Sequence, residues 1–202
     1  TLATDESMRL EFKGMNLTSN TRKGISDFYL GQNEVRLQQI ELQIGESAPI
    51  LFKDFVQRDE TSEANQQLSA RYSYDVGMIS YQGNDIGSSQ MLWTVKNLDA
   101  AALQSMIELY GTLLQSGKVD SESGMPQLTD EQTAQFKTDL EKLLAGKPGL
   151  ALEKLAFKTA NGESSFSFGL DLNKPVSFDL PATELAKQLI AQLDAKLLVS
   201  KA

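Results

Sequence analysis

The chain has 202 residues, 41% of them hydrophobic and 23% charged, and carries a net charge of −8. It contains no histidine and no cysteine, which excludes Ser-His-Asp and Cys-His catalysis, the usual zinc sites, disulfides and thiol redox chemistry. Nineteen basic residues scattered among 27 acidic ones leave no Lys/Arg-rich face of the kind that nucleic acid or anionic lipid headgroups require.

The length supports a self-sufficient core and the composition suits a folded domain rather than a disordered one. No stretch approaches the roughly 18 consecutive apolar residues of a membrane span, and no basic-then-apolar leader opens the chain. It begins at Thr1, so the expectation is a piece excised from a longer protein. Absence of cysteine fits a Gram-negative periplasm, and equally many cytosolic domains.

From Met8 to about Val95 apolar residues alternate at period two, the mark of half-buried strands. Met8, Leu10 and Phe12 come first, then Val35 and Leu37, then Ile40, Leu42 and Ile44. The three-residue step from Leu37 to Ile40 predicts a β-bulge. Arg58 to Gln67 reads as a polar link between two strands. Its carboxylates Asp59, Glu60 and Glu63 match no calcium-loop spacing, so a solvated turn is preferred. The longest run is Leu68, Ala70, Tyr72, Tyr74, Val76 and Met78, with polar partners between, which predicts an antiparallel sheet wet on one face. Gly83-Asn84-Asp85 turns the chain into Met91, Trp93 and Val95, expected on one face.

After Asn97 the period becomes helical. Asp99 is placed to cap a helix over 99–116 with the stripe Leu103, Met106, Ile107, Tyr110, Leu113 and Leu114. Asp120 to Gly124 hints at a calcium loop, but its glycine falls one position early and no glutamate closes it. Thr129 and Gln132 form a capping box for a second helix over 129–145, with Phe136, Leu140, Leu143 and Leu144 on its buried face and Gly146 and Pro148 as its stop. Leu150, Leu152, Leu155 and Phe157 then lead into Asn161-Gly162, a hairpin signal, and Phe166, Phe168, Leu170 and Leu172 return. Val176, Phe178 and Leu180 extend that alternation to Pro181. Leu185, Leu189, Leu193 and Leu197 mark a third helix over 182–199. Gly87-Ser88-Ser89, strand, Leu98-Asp99, helix resembles Gly162 to Ser165, strand, Leu180-Pro181, helix, as two copies of a strand–strand–helix unit would.

The search for chemistry returns absences. There is no dinucleotide or Walker loop, no nucleophile elbow and no Ser-Lys signature. Asp139 and Glu141 point to different sides of a helix and read as solvent-facing charge. Trp93, Phe136, Phe166 and Phe168 are expected to share a core. Tyr81, assigned to the opposite face beside a turn, is the best candidate for an exposed aromatic. Lys174, Lys187 and Lys196 read as ordinary surface charge.

Leu143-Leu144, Pro148, Leu150, Leu152, Thr159 and Gly162-Glu163 followed by alternating Phe166 and Phe168 resemble the YdgA-like family of bacterial proteins. So does Gly87-Ser88-Ser89 leading through a strand to Asn97-Leu98-Asp99 and a helix. The likeness runs from about Gly24 to Lys174. It implies envelope proteins of unknown function with an amino-terminal membrane segment and a long extracytoplasmic part, and it brings no active-site residues. Against that pattern the chain shows neither the anchor nor the strands expected beyond the third helix.

The sequence therefore predicts one α+β domain spanning 1–202. It has a long antiparallel sheet with about three helices packed on one face, and lies on the periplasmic side of the inner membrane. A non-enzymatic interaction or structural role comes first, lipid or apolar-ligand handling in a sheet–helix groove second, and a carboxylate-dependent hydrolase third. No catalytic, cofactor or metal residues are assigned. The expected partners are further copies joined through sheet edges, with the border strands Leu150–Lys158 or Ser164–Leu172 most exposed to pairing, and lipid or other envelope proteins. Nucleic acid is not among them.

Overall fold

The computed structural model describes residues 7–118 and 126–200. Eight strands form one antiparallel meander in strict chain order: β1 (Met8–Lys23), β2 (Tyr29–Ile44), β3 (Ile50–Ala64), β4 (Gln67–Tyr81), β5 (Asn84–Asp99), β6 (Gly149–Thr159), β7 (Gly162–Leu172) and β8 (Ile190–Leu198). Helices α1 (Ala100–Gln115) and α2 (Asp130–Ala145) lie between β5 and β6, and α3 (Ala182–Leu189) between β7 and β8. The α+β class and the antiparallel sheet are as the period changes predict.

Tight hairpins carry much of this topology. Asn65-Gln66 joins β3 to β4 and Gln82-Gly83 joins β4 to β5, all four residues with φ between 52° and 78°. Two consecutive positive φ values match the right-handed twist of the flanking strands. The polar stretch from Arg58 is therefore strand and not link: β3 runs through it to Ala64, paired to β4 along its length. At the other hairpin the turn residues are Ala160-Asn161, one place earlier than expected, with Thr159 opposite Gly162.

The expected bulge at Leu37–Ile40 is absent. β2 keeps one register with β1 and with β3 through that point. Instead, the same three-residue step occurs in four adjacent strands at one row. Phe12, Ile40, Phe52 and Ile79 align on one side of the row, and Met15, Leu37, Phe55 and Val76 on the other. Gly14 and Asp54, with φ of 64° and 53°, sit in the step. A residue out of the pleat in each strand takes up the odd spacing, so the apolar set stays on one side and the ladder stays in register. At Gly14 a Cβ would meet the Gln38 side chain at 2.4 Å. The sheet does contain a bulge, in β6. There Leu152 and Leu155 oppose Phe168 and Phe166, so β6 carries one extra residue.

Both long helices are capped as the sequence predicts. Asp99 accepts from the Ala102 N–H at 2.8 Å, and Thr129 and Gln132 form the reciprocal capping box. The third helix is a correction: it ends at Leu189, and Ile190–Leu198 is the strand β8, which supplies a closing strand within the chain. A spacing of four is a multiple of two, so Leu189, Leu193 and Leu197 satisfy a strand face as well as a helix face. A second correction concerns Val176, Phe178 and Leu180. They lie in an irregular connection, because Pro175 has no N–H to give a ladder.

The small buried core gathers at one end of the sheet, where Leu30, Leu68 and Ala100 meet Phe28, Leu98 and Leu103. α1 and α2 pack on each other and touch the sheet at β5, and α3 touches β8. Leu113 and Leu144 are the buried leucines of the helix pair. Trp93 and Phe168 flank buried Leu152 in one row, and Phe166 lies in the next. Phe136 does not complete that expected core: it is exposed on α2, and the three sheet aromatics are only half-buried.

Candidate interaction surface

The two faces of the sheet differ sharply. On the polar face a hydrogen-bonded ladder crosses six strands. Arg36 Nε donates to Glu34 Oε1 at 2.5 Å within β2, and Arg58 Nε of β3 donates to Glu34 Oε2 at 2.7 Å. Arg58 Nη1 donates to Asp75 Oδ2 of β4 at 3.3 Å, and Gln90 Nε2 of β5 donates to Asp75 Oδ1 at 2.9 Å. Lys154 Nζ of β6 then donates to Gln90 Oε1 at 2.9 Å and pairs with Glu163 of β7 at 3.2 Å. The hydrogen bond from Arg36 is the main cause that holds the Glu34 carboxyl below the ordinary glutamate range; desolvation opposes it, and the hydrogen bond from Arg58 and the charges of both guanidinium groups add to the lowering. The same bond raises the Arg36 guanidinium. A shallow trough beside the ladder is lined by Thr18, Gln32, Glu60, Arg71 and Ser73.

The other face carries an apolar row across the sheet, broken at Gln57, while its corner over β1–β3 is polar, with Ser19, Asn33 and Asp59 hydrogen-bonded to one another. One row reads Leu17, Val35, Gln57, Tyr74, Met91, Leu155, Phe166 and Leu197 from β1 to β8. The next includes Tyr72, Trp93, Leu152, Phe168 and Ala195. These side chains are not sealed beneath the helices. Met15 is 67% exposed, Leu17 62% and Leu197 68%. The whole chain exposes 13734 Å², whereas a compact monomer of 22.2 kDa is expected to expose about 9,400 Å². Helix residues Ile107, Tyr110 and Leu114 add to the exposed apolar surface.

Tyr81 is exposed, as expected, but its face is a correction. The step at Gly77 puts Ile79 and Tyr81, opposite Phe52 and Ile50, in the apolar set, and Met78 opposite Lys53.

Among the carboxylates, Asp139 is also a correction. It is 3% exposed, accepting from Ser105 Oγ of α1 at 2.6 Å and from Gln135 Nε2 at 3.0 Å. It ties the two helices together, and both its partners are protein groups. Asp59 accepts from Asn33 at 2.7 Å, while Glu63 accepts from the Ile25 N–H and the Ser26 hydroxyl. Those carboxylates are thus spread along a strand. No group of three metal-ligating side chains occurs among the described residues, and Asp120–Gly124 lies outside them. Lys174 pairs with Glu141 and Lys187 with Glu184. Edge positions differ from expectation: β6 and β7 are interior strands paired on both sides, and the open edges are β1 and β8.

Sequence reasoning missed the ladder and the openness of the apolar face. The ladder had a signal in the charged residues alternating with apolar ones at Glu34, Arg36, Arg58 and Asp75.

The fold is one antiparallel meander with a hydrogen-bonded polar face and a largely apolar face left uncovered. The family model described as "Bacterial protein of unknown function (DUF945)" matches residues 1–202, and the chain belongs to that family. The chain is also similar to Protein YdgA of Escherichia coli (strain K12), at 20% identity, covering 96% of this chain and 40% of that protein. It thus spans about two fifths of the length of this curated relative. The resemblance to the YdgA-like family holds. No solved structure matches the chain.

Proposed function

We propose that this domain is a non-catalytic interaction module of the bacterial envelope, on the periplasmic side of the inner membrane, whose working surface is the apolar face of its sheet. The observation that carries this reading is a row across all eight strands, apolar but for Gln57, with Leu17 and Leu197 open to solvent at its ends. Large contiguous apolar patches on a folded protein mark interaction sites. The one buried carboxylate among the described residues is engaged by Ser105 and Gln135, which argues against a pair of acids facing a cleft.

Lipid handling is the second reading, favoured by the length of the apolar rows, which suits an extended chain lying across the strands. Native mass spectrometry of protein from a mild extract tests both readings. Mass added by a second polypeptide or by lipid supports a binding face. A bare monomer that also takes up no lipid from mixed micelles overturns the reading.

A further inference from the structure

We propose that the apolar face is covered by a second copy of this chain, the two sheets packing face to face about a two-fold axis. This rests on reading that face as the working surface and names its occupant. Area is the first argument. Seven gaps of about 4.8 Å between eight strands make the sheet about 34 Å across; β1–β5, of 15–16 residues, run about 50 Å and β6–β8, of 9–11 residues, about 30–37 Å. Covering half of that face on each copy buries about 1,500 Å² in all, within the range of stable interfaces. On that face Met15, Leu17, Leu155 and Leu197 are 44–68% exposed, so this burial is available without unfolding anything.

Charge distribution is the second. Two copies at −8 each repel, yet the ladder groups Glu34, Arg36, Arg58, Asp75, Lys154 and Glu163 lie on the opposite face. In a sandwich they sit on the two outer surfaces, separated by the roughly 10 Å gap between sheets plus both sheets themselves, beyond the screening length of about 8 Å at physiological salt. Gln57 is the single polar position in the central row, and the Asp59 carboxylate in the next row, held by Asn33, lies over β1–β3, so the apolar contact is centred on β4 to β8.

Closure is the third argument. A two-fold face-to-face contact is self-complementary and stops at two copies, whereas β8 of one copy meeting β1 of the next gives an open-ended array. Edge pairing also leaves the apolar face as wet as before. One or two acyl chains cover a strip of it, and a second sheet of matching twist covers the whole.

The chain has no native cysteine, so introduced ones report contacts cleanly. Leu155→Cys and Tyr74→Cys probe the centre of the apolar face, Asn16→Cys the β1 edge, and Ser73→Cys the polar face. Multi-angle light scattering over a hundredfold concentration range should show a dimer. Short bis-maleimide cross-linking should join copies through Leu155→Cys and Tyr74→Cys, and not through the other two. Phe166→Glu should weaken dimerisation at least tenfold. Phe166 is half-buried, so Leu197→Glu, at an exposed position, serves as a second disrupting variant, with circular dichroism to confirm folding of both. Cross-linking through Asn16→Cys alone overturns the proposal in favour of edge pairing. A monomer at all concentrations that carries lipid overturns it while leaving the apolar face as the working surface. A monomer that carries nothing, and is indifferent to Leu197→Glu, overturns both.

Discussion

Removing the Asp139 carboxylate tests how the helix pair is held. Asp139→Ala deletes two hydrogen bonds to a charged acceptor, from Ser105 at 2.6 Å and Gln135 at 3.0 Å. The Gln135 amide is exposed and turns to water at little cost. The Ser105 hydroxyl lies in the seam between α1 and α2 and loses its acceptor, and a hydrogen bond to a charged group is worth about 1.5–3 kcal/mol net. Recovered solvation of the carboxylate offsets part of this, and the small void adds part back. The expected loss is about 2–3 kcal/mol, or a Tm lower by about 4–12 °C for a chain of this size. Ser105→Ala alone should cost about 1 kcal/mol, because it leaves Asp139 with one partner. The double variant should cost less than the sum of the two by about 1 kcal/mol or more, since both remove the same bond. Urea melts of the four proteins, followed by circular dichroism, measure this directly. Strict additivity, or an Asp139→Ala protein within about 0.5 kcal/mol of the parent, refutes the assignment of Asp139 as the tie between the helices.

Gly31→Ala should be severe, at about 3 kcal/mol or more by urea melt, because φ is 133° there and a Cβ would stand 2.1 Å from the Asn20 carbonyl oxygen. Trp93→Ala should cost about 2 kcal/mol, well below the 3–5 kcal/mol of a fully buried tryptophan, since the indole is half-buried; a full-sized loss would show it sealed. Glu34 has a folded pKa below its unfolded one, so its stabilisation is present above about pH 4.3 and is lost as pH falls through the lowered value. The Tm difference between the parent and Glu34→Gln should therefore shrink on acidification, and shrink also in high salt, as the pair is exposed. EDTA should leave the Tm unchanged, and a fall that calcium reverses would reveal a hard-cation site.

Element types were largely legible from periodicity because the meander is local: strands meet their chain neighbours, and Asp99, Thr129 and Gly146 declare the helix ends. The failures have physical causes. The step at Leu37–Ile40 looks like a bulge in one strand. Only alongside Phe12/Met15, Phe52/Phe55 and Val76/Ile79 does it become a crease shared by four strands. Arg58–Ala64 looks like a loop because both of its faces are polar, yet its backbone pairs with β2 on one side and β4 on the other. Leu193 and Leu197 fit two periods, and pairing with Leu170 and Phe166 decides for the strand. The openness of the apolar face was the least legible part. An amphipathic strand has the same sequence whether its apolar side is sealed or bare, so openness emerges only when the three helices prove to gather beside β5 and β8.

The claim that the apolar face is a binding surface is tested most directly by footprinting it where the protein works. Carbene labelling of the protein in a mild native extract should mark Met15, Leu17, Leu155 and Leu197 several-fold less than in the purified, dilute chain. Labelling of Asn16, Arg36 and Ser73 on the polar side should not change between the two. Equal labelling of the apolar face in both states would show that nothing binds there, and would contradict the account.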